Sequence, residues 1–357
     1  MTYLVTGGCG FLGSNIARYL LEQNHRVIVF DNLSRIGSKD NLAFLKSLNK
    51  DLLFYEGNIS VYEAIESVVK EHRPEVVFHF AAQVAMTTSI ERPLDDFKTN
   101  ALGAVHVLES VRLHVPKSIV CFSSTNKVYG DMIERTYDET PTRYRLVGDK
   151  QAFDETTPLN FQSPYGCSKG SADQYMLDYH RIYGLKTIVF RHSSIYGGRQ
   201  YATKDQGWVG WFIDQAIRIQ QGTLNAIEIS GNGKQVRDLL FGDDLTACYM
   251  AAIKHIDTTA GQVYNIGGGY ENSLSILELF QALEKMLHIQ ITIKQKPFRQ
   301  SDQLIFIADN TKALNDFKWT PKVAKGIGLD KMLRWVTEII TKEESDFCAV
   351  VNSDSDL

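Results

Sequence analysis

The sequence predicts an α/β protein in which a doubly wound parallel sheet carries a smaller C-terminal lobe. Three observations lead there. Short β-branched apolar runs alternate with amphipathic helical stretches through the first half, a Gly-rich turn follows the first run, and after Phe190 the alternation gives way to an irregular pattern rich in Gly, Tyr and Trp.

In order along the chain, residues 3–6, 26–30, 52–55, 76–80 and 118–122 are predicted strands, because each is a short Val-, Ile-, Leu- or Phe-bearing run between amphipathic segments. Residues 187–190 form a further strand, after a helix expected to begin near Tyr165. The first lobe is expected to span 1–190, with segment 237–268 returning to it through strands at 239–241 and 263–266. Residues 191–340 form most of the second, substrate-binding lobe, drawn from regions 196–230 and 272–335. The stretch 131–154 reads as an insertion: Tyr137-Asp138-Glu139-Thr140 and Phe153-Asp154-Glu155-Thr156 are near-duplicates, but one pair makes no repeat array. Residues 341–357 are acidic and polar and are expected to form a disordered tail.

Composition excludes several function classes. The chain has 357 residues, 44% hydrophobic and 22% charged, an ordinary balance for a soluble protein. A net charge of −4 gives no basic footprint for a nucleic acid polymer. No apolar run reaches bilayer-spanning length, so no membrane partner is expected and the cytoplasm is the default location. The five cysteines, Cys9, Cys121, Cys167, Cys248 and Cys348, are scattered without CxxC pairing, which suggests neither a disulfide framework nor a zinc site. His79 and His192 are isolated, and no metal is expected.

The first predicted strand is followed at once by Gly7-Gly8-Cys9-Gly10-Phe11-Leu12-Gly13, with Gly7, Gly10 and Gly13 three apart before an apolar helix. Backbone without Cβ lets a diphosphate come close, and the helix amino terminus offers unpaired N–H groups and the positive end of its dipole. Glycines in a turn also serve tight packing, so the motif alone is weak. Its place between strand and helix strengthens it, as does Asp31 at the end of the second strand. An acidic side chain there accepts hydrogen bonds from the adenosine ribose and repels a 2′-phosphate, which favours NAD over NADP. Against that stand Arg35 nearby and the possibility that Asp31 is only a turn residue.

Tyr165 and Lys169 lie in Pro164-Tyr165-Gly166-Cys167-Ser168-Lys169, where helical spacing puts both on one face. A phenol near pKa 10 is a poor base at neutral pH. A neighbouring ammonium and a positive nicotinamide are expected to lower it, so that the phenolate removes a hydroxyl proton as hydride leaves. Taken alone, a Tyr and a Lys four apart occur often by chance; after a dinucleotide signature they carry weight. Ser123-Ser124-Thr125-Asn126-Lys127-Val128-Tyr129-Gly130 closes the fifth strand at the sheet edge where such folds bind ligands, and Thr125 can bond the hydroxyl being oxidised. Trp208 and Trp211, at three-residue spacing, read as helix core.

These motifs resemble the extended short-chain dehydrogenases/reductases, whose TGGxGFxG start matches Thr6–Gly13 and whose Ser/Thr–Tyr–Lys triad matches Thr125, Tyr165 and Lys169. The fold such a resemblance implies is the Rossmann fold. Together, Ser123–Gly130, Gln83-Val84-Ala85-Met86-Thr87-Thr88-Ser89, Tyr165–Lys169 and Arg191-His192-Ser193-Ser194 look like the nucleotide-sugar branch, and within it the CDP-paratose 2-epimerases, also called CDP-tyvelose epimerases. The resemblance runs from Tyr3 to about Trp335 and includes the insertion. It implies NAD contacts from Gly7, Gly10, Phe11, Leu12, Gly13, Asp31, Asn32, Ser34, Arg35, Asn58, Ile59, Phe80, Ala81, Ala82, Gln83, Asn100, Ser123, Tyr165 and Lys169. Asn58 departs from the family's usual Asp, which bears only on the adenine contact. For the sugar nucleotide it implies Thr125, Asn126, Lys127, Cys167, His192, Ser194, Arg199 and Gln200, with Arg237 and Arg299 on the diphosphate, where guanidinium geometry suits the task.

Asn126 and Lys127 stand where related dehydratases have an Asp-Glu pair, and they cannot replace that pair in removing water, which disfavours dehydration. The expected activity is C2 epimerisation of a CDP-dideoxyhexose, CDP-paratose to CDP-tyvelose, through a transient 2-keto sugar. A UDP-hexose 4-epimerase is the alternative, and a non-catalytic NAD-binding regulator a second. Relatives in this branch form dimers or tetramers, so a homo-oligomer is expected, with 101–111 as a candidate interface helix.

Overall fold

The computed structural model describes residues 1–354 apart from 133, 149, 300 and 301, with 343–354 described by their backbone alone. From the amino terminus, β1 (Thr2–Thr6) leads through the glycine turn into α1 (Phe11–Glu22). There follow β2 (Arg26–Asp31), α2 (Ser38–Leu48), β3 (Leu53–Glu56), α3 (Tyr62–His72) and β4 (Val76–His79). Next come α4 (Met86–Glu91), α5 (Pro93–Phe97), a π-helical turn (Lys98–Leu102), α6 (Gly103–His114) and β5 (Ile119–Thr125). A hairpin of β6 (Tyr137–Glu139) and β7 (Tyr144–Leu146) precedes α7 (Ser163–Tyr183), β8 (Lys186–His192) and β9 (Ser194–Tyr196). The remainder is α8 (Trp208–Gln220), β10 (Ile227–Ser230), β11 (Val236–Phe241), α9 (Gly242–Lys254), α10 (Ile256–Thr259), β12 (Gln262–Ile266) and β13 (Ser273–Ser275), then α11 (Ile276–Leu287), β14 (Ile293–Lys296), β15 (Ile305–Phe306), α12 (Thr311–Phe317) and α13 (Lys325–Asp354).

Seven parallel strands form the main sheet in the order β12-β8-β5-β4-β1-β2-β3. Helices cover both faces, so β1, β4 and β8 carry near-continuous apolar runs rather than alternating ones. One apolar layer, with Val5, Val29, Phe78, Phe190 and Tyr249, lies on one face, and another, with Leu4, Ile28, Val77, Val120 and Val189, on the other. The chain runs outward from β1 to β3 and then crosses back to β4 on the far side of β1. That reversal leaves a crevice at the carboxyl ends of β1 and β4, where a ligand fits.

The returning segment behaves in two ways. β12 joins the main sheet, pairing Gln262–Ile266 with Ile188–His192. β11 does not, although 239–241 was expected there: it pairs with β9, β13 and β15 in a separate four-stranded sheet. β8 has one open edge and β12 takes it, so β11 pairs instead with the strand just after β8. Around this second sheet lies the core of the smaller lobe, where Phe212, Ile213, Ile229, Leu279, Phe280, Leu283 and Met332 pack.

The insertion folds as the β6–β7 hairpin, and its Tyr137, Tyr144 and Leu146 pack with Phe153 against Ile305–Phe306. Its near-duplicate segments differ in structure, the first being β6 and the second a single bridge from Phe153 to Ala308. The expected disordered tail is also different: α13 continues through it to Asp354. Residues 329–353 contain no Gly or Pro that would end a helix already under way. Among the described residues no helix is long and apolar enough to cross a membrane.

Candidate active site

A cavity of about 560 Å³ opens at the carboxyl ends of β1 and β4. Two of its glycines answer to packing. Gly7 has φ +66°, and a Cβ there would stand 2.6 Å from Ala81 N; at Gly13 it would meet Gly7 O at 2.2 Å. Gly10 is different. Its φ of −75° suits any residue, and the one protein neighbour of a Cβ there would be Gly7 O at 3.2 Å. A side chain at Gly10 would therefore fill the cavity itself, where α1 begins without a side-chain cap on its first N–H groups.

Of the residues expected to hold a dinucleotide, Gly7, Gly10, Phe11, Leu12, Gly13, Asp31, Asn32, Ser34, Arg35, Asn58, Ile59, Phe80, Ala81, Ala82, Gln83, Ser123, Tyr165 and Lys169 line this cavity. Asp31 accepts from Cys9 N at 3.0 Å and Leu33 N at 2.8 Å, which fixes its carboxylate on the cavity wall. Burial nonetheless raises its pKa, with those backbone bonds opposing. Asn58 Oδ1 caps Ser60 N at 3.0 Å. Asn100 lies behind the wall, accepting from Gln83 N and donating to Gln83 O, both at 2.9 Å. It shapes the cavity through Gln83 rather than lining it. Sequence reasoning missed Asn41, whose Nδ2 donates to Cys9 O at 3.0 Å and Arg199 O at 3.2 Å, since a polar residue in a helix's first turn carries no motif.

A second cavity, about 320 Å³, lies between the lobes, and Tyr165 and Val84 line both. Thr125 is hydrogen-bonded to Tyr165, and its Oγ1 donates to Asn126 Oδ1 at 3.3 Å. Lys169 donates to Ser123 O and lies 4.2 Å from the centre of the Phe122 ring. Burial pushes Tyr165 up to about 12, opposed by the Thr125 bond, and burial pulls Lys169 down to about 7. Desolvation outweighs any help from the ammonium, so the protein alone does not supply a phenolate. Burial, with the Lys169 charge adding to it, also lowers His79 and His192 to about 3, keeping both imidazoles neutral.

Of the residues expected to meet a sugar nucleotide, Thr125, Asn126, Lys127, Ser194, Arg237 and Arg299 line the second cavity. Arg237 donates to Asp302 at 3.0 Å, and Lys127 lies 3.7 Å from the same carboxylate. Burial and the neighbouring Arg237 charge pull Lys127 down to about 8. Four other residues expected to meet the sugar nucleotide do not line this cavity. His192 sits behind Lys169, between Ser123 Oγ at 3.3 Å and Tyr249 OH at 3.2 Å, because β8 turns it into the sheet. Cys167 is exposed on the outer side of α7, two residues from Tyr165 and so off its face.

Arg199 and Gln200 line the first cavity instead of the second. The Arg199 guanidinium is held 3.4 Å from the Phe44 ring centre and 4.9 Å from that of Trp335, which ties the loop after β9 over the glycine turn. Conversely Trp208 and Trp211, read as core, line the second cavity. Trp208 Nε1 donates to Ser194 Oγ at 2.9 Å, which satisfies the indole N–H, and both rings also pack against the core of the smaller lobe. Glu228, Ser230, Lys204 and Lys296 complete that wall and carried no motif in the sequence. Among the described residues no group of three or more His, Cys, Asp or Glu could hold a metal ion.

Comparison with known proteins fits this arrangement. The profile of the family described as GDP-mannose 4,6 dehydratase matches residues 4–332. A CDP-paratose 2-epimerase of Salmonella typhi is 50% identical over 339 residues, covering 95% of this chain and all of that one. The crystal structure of UDP-glucose 4-epimerase with UDP-glucose from Thermotoga maritima superposes with TM-score 0.81 at 34% identity, covering 95% of this chain and all of the other. The Thermus thermophilus UDP-glucose 4-epimerase in complex with NAD superposes with TM-score 0.78 at 27% identity, covering 94% and 99%. A glycine-turn cavity that meets a second cavity at a Tyr–Lys–Thr cluster, together with a profile match along nearly the whole chain, places this protein in the GDP-mannose 4,6-dehydratase family of extended short-chain dehydrogenases/reductases.

Proposed function

We propose that this chain is an NAD-dependent nucleotide-sugar epimerase that inverts C2 of a CDP-dideoxyhexose, converting CDP-paratose to CDP-tyvelose. The observation that carries the reading is the position of Tyr165, on the wall of both cavities, where one group can face cofactor and sugar together. Identity of 50% with a CDP-paratose 2-epimerase supports the sugar and the base. The residues present fit the cofactor: the space a Gly10 side chain would fill, the uncapped start of α1 and the Asp31 carboxylate suit pyrophosphate and ribose.

A secondary carbinol has no acidic C–H, so inversion at C2 needs temporary oxidation. NAD, when bound, accepts the hydride and returns it. Tyr165 takes the proton from the C2 hydroxyl and gives it back after the ketone has turned its other face. The Lys169 ammonium, fixed by Ser123 O, favours the phenolate, and Thr125 holds the reacting oxygen. Arg237, Arg299 and Lys127 meet the diphosphate, and the Trp208–Trp211 wall takes the remaining apolar surface. Asn126 and Lys127 offer no acid–base pair for loss of water from the keto sugar. The assembly we propose is a homodimer: Leu94 and Phe97 on α5 and Tyr175, Ile182 and Tyr183 on α7 are exposed, whereas most apolar residues of 101–111 are buried within the chain.

The deciding experiment incubates purified enzyme with CDP-paratose in deuterated water, and separately with UDP-galactose, following both by NMR. CDP-tyvelose should form without deuterium at C2, and Tyr165→Phe should lose most turnover while retaining NAD. Conversion of UDP-galactose instead would establish the 4-epimerase alternative and overturn the proposal.

A further inference from the structure

Beneath the catalytic pair lies a carboxylate that the mechanism above does not use. Asp96, at the end of the short helix α5, is fully buried. Its Oδ1 accepts from Gln83 Nε2 at 2.9 Å and from Asn100 Nδ2 at 3.0 Å, and its Oδ2 accepts from Ser168 Oγ. These donors come from three separate pieces of the site: the loop after β4 that walls the first cavity, the π-helical turn, and α7 next to Lys169. Ser168 Oγ also lies 3.2 Å from Tyr165 O, so the bond to Asp96 grips the very turn that carries the phenol. A π-helical turn beside the site, at Lys98–Leu102, is the local irregularity that brings Asn100 round to both Asp96 and Gln83.

The charge on Asp96 is as unusual as its position. Asp173, the other buried carboxylate near Lys169, is ion-paired with Arg191, whose Nε and Nη2 reach it at 2.9 and 2.7 Å, and its charge still raises Lys169, more than that of Asp96 does. Among the described residues the side-chain donors to Asp96 are all neutral. Asp95 pairs outward with Arg92, and Glu91 and Lys98 are exposed. From α7 it faces Tyr165 and Lys169, and it acts on both. Lys169 in turn faces Asp173 on its own helix, His79 on β4 and His192 on β8, both imidazoles being neutral.

Resting on the epimerase reading, we propose that Asp96 is the positioning residue of the Tyr165–Lys169 pair: it locks the Gln83 wall and the Ser168 turn together, and its negative charge, held by neutral donors only, acts on both members of the pair. Removing that charge lowers the proton affinity of both groups. Lys169 must keep its proton, so the limb lost as pH rises moves down. Tyr165 must lose its proton, so the limb gained as pH rises also moves down. Asp96→Asn therefore shifts both limbs of the kcat/KM profile in the same direction, to lower pH by about one unit. A purely structural contribution would reduce the height of the profile and leave its limbs in place.

The test compares the holoenzyme with Asp96→Asn and Ser168→Ala, the latter removing one donor while keeping the charge. Asp96→Ser, small and neutral, substitutes if the asparagine protein does not fold. Kinetic profiles with CDP-paratose are paired with tyrosinate absorbance titrations without substrate, each taken as the difference from the matching Tyr165→Phe protein. The expected result is a downward shift of both limbs and of the Tyr165 titration in the neutral variants, with unshifted limbs in Ser168→Ala. Limbs and titration unmoved in the neutral variants would overturn the role of Asp96. Failure of the parent to convert CDP-paratose would instead refute the functional reading, while the tyrosinate titration still reports on Asp96.

Discussion

Replacing Arg191 by Met is the perturbation whose cost can be worked most directly from the structure. The Arg191 side chain is 3% exposed and that of Asp173 is 0%, so both ions have left water. Arg191 gives two bonds to Asp173, at 2.9 and 2.7 Å, and one to Tyr129 OH at 3.0 Å. Methionine matches the stem but none of the donors. The stranded carboxylate would keep Ser124 Oγ at 2.7 Å and Gln174 Nε2 at 3.0 Å. Breaking a buried pair in this way costs about 3–5 kcal/mol, and the two surviving donors put the expected loss near the lower end. Tyr129 OH retains Asn265 at 2.6 Å, so it adds little. Against a total stability of roughly 5–15 kcal/mol the loss is large and readable by urea unfolding. The double variant Arg191→Met/Asp173→Leu removes both charges and should recover most of it. A single variant within about 1 kcal/mol of the parent, or a double variant no better than the single, would refute the reasoning.

The glycine turn gives a contrasting pair. Gly10→Ala should fold, with a melting temperature close to that of the parent, yet purify without NAD, because its methyl enters the cavity; Gly13→Ala, whose methyl would meet Gly7 O at 2.2 Å, should lose stability outright, as thermal melts of the two will show. Burial pushes Asp238 up to about 6, above an unfolded value near 3.9. Its ionisation therefore costs nothing below pH 4 and destabilises increasingly as pH rises through 6, so Asp238→Asn should gain on the parent by roughly 2 kcal/mol between pH 4 and 7 in unfolding experiments. Lys127, pulled down to about 8, should lose its charge above that pH. KM for the sugar nucleotide should then rise through pH 8 in the parent, and Lys127→Met should abolish that rise.

Much of the fold could be read from sequence because parallel strands buried on both faces announce themselves. Val76–His79 and Lys186–His192 are such runs, and the glycine turn fixed the position of the crevice beside the first. β11 was misplaced because its apolar pattern suits any buried strand; only competition for the edge of β8 decides which sheet it joins. Within the site, residues tied to a motif fell on the cavity walls, Tyr165 and Gly10 among them. Those whose place depends on a distant partner fell elsewhere: Asn100 answers to Gln83 and His192 to Ser123 and Tyr249, both behind the walls, while Arg199, held by two rings, lines the first cavity rather than the second. The second cavity's Trp208 and Glu228 were illegible for a related reason, since their helix and strand enclose space only once the lobes meet.

Arg199 stands between Phe44, near the beginning of the chain, and Trp335, near the end. Rings so far apart in sequence meet at one cation only when α2 and α13 have docked beside each other. The loop after β9, which lines the first cavity, is thus held in place by tertiary contacts rather than by its local sequence.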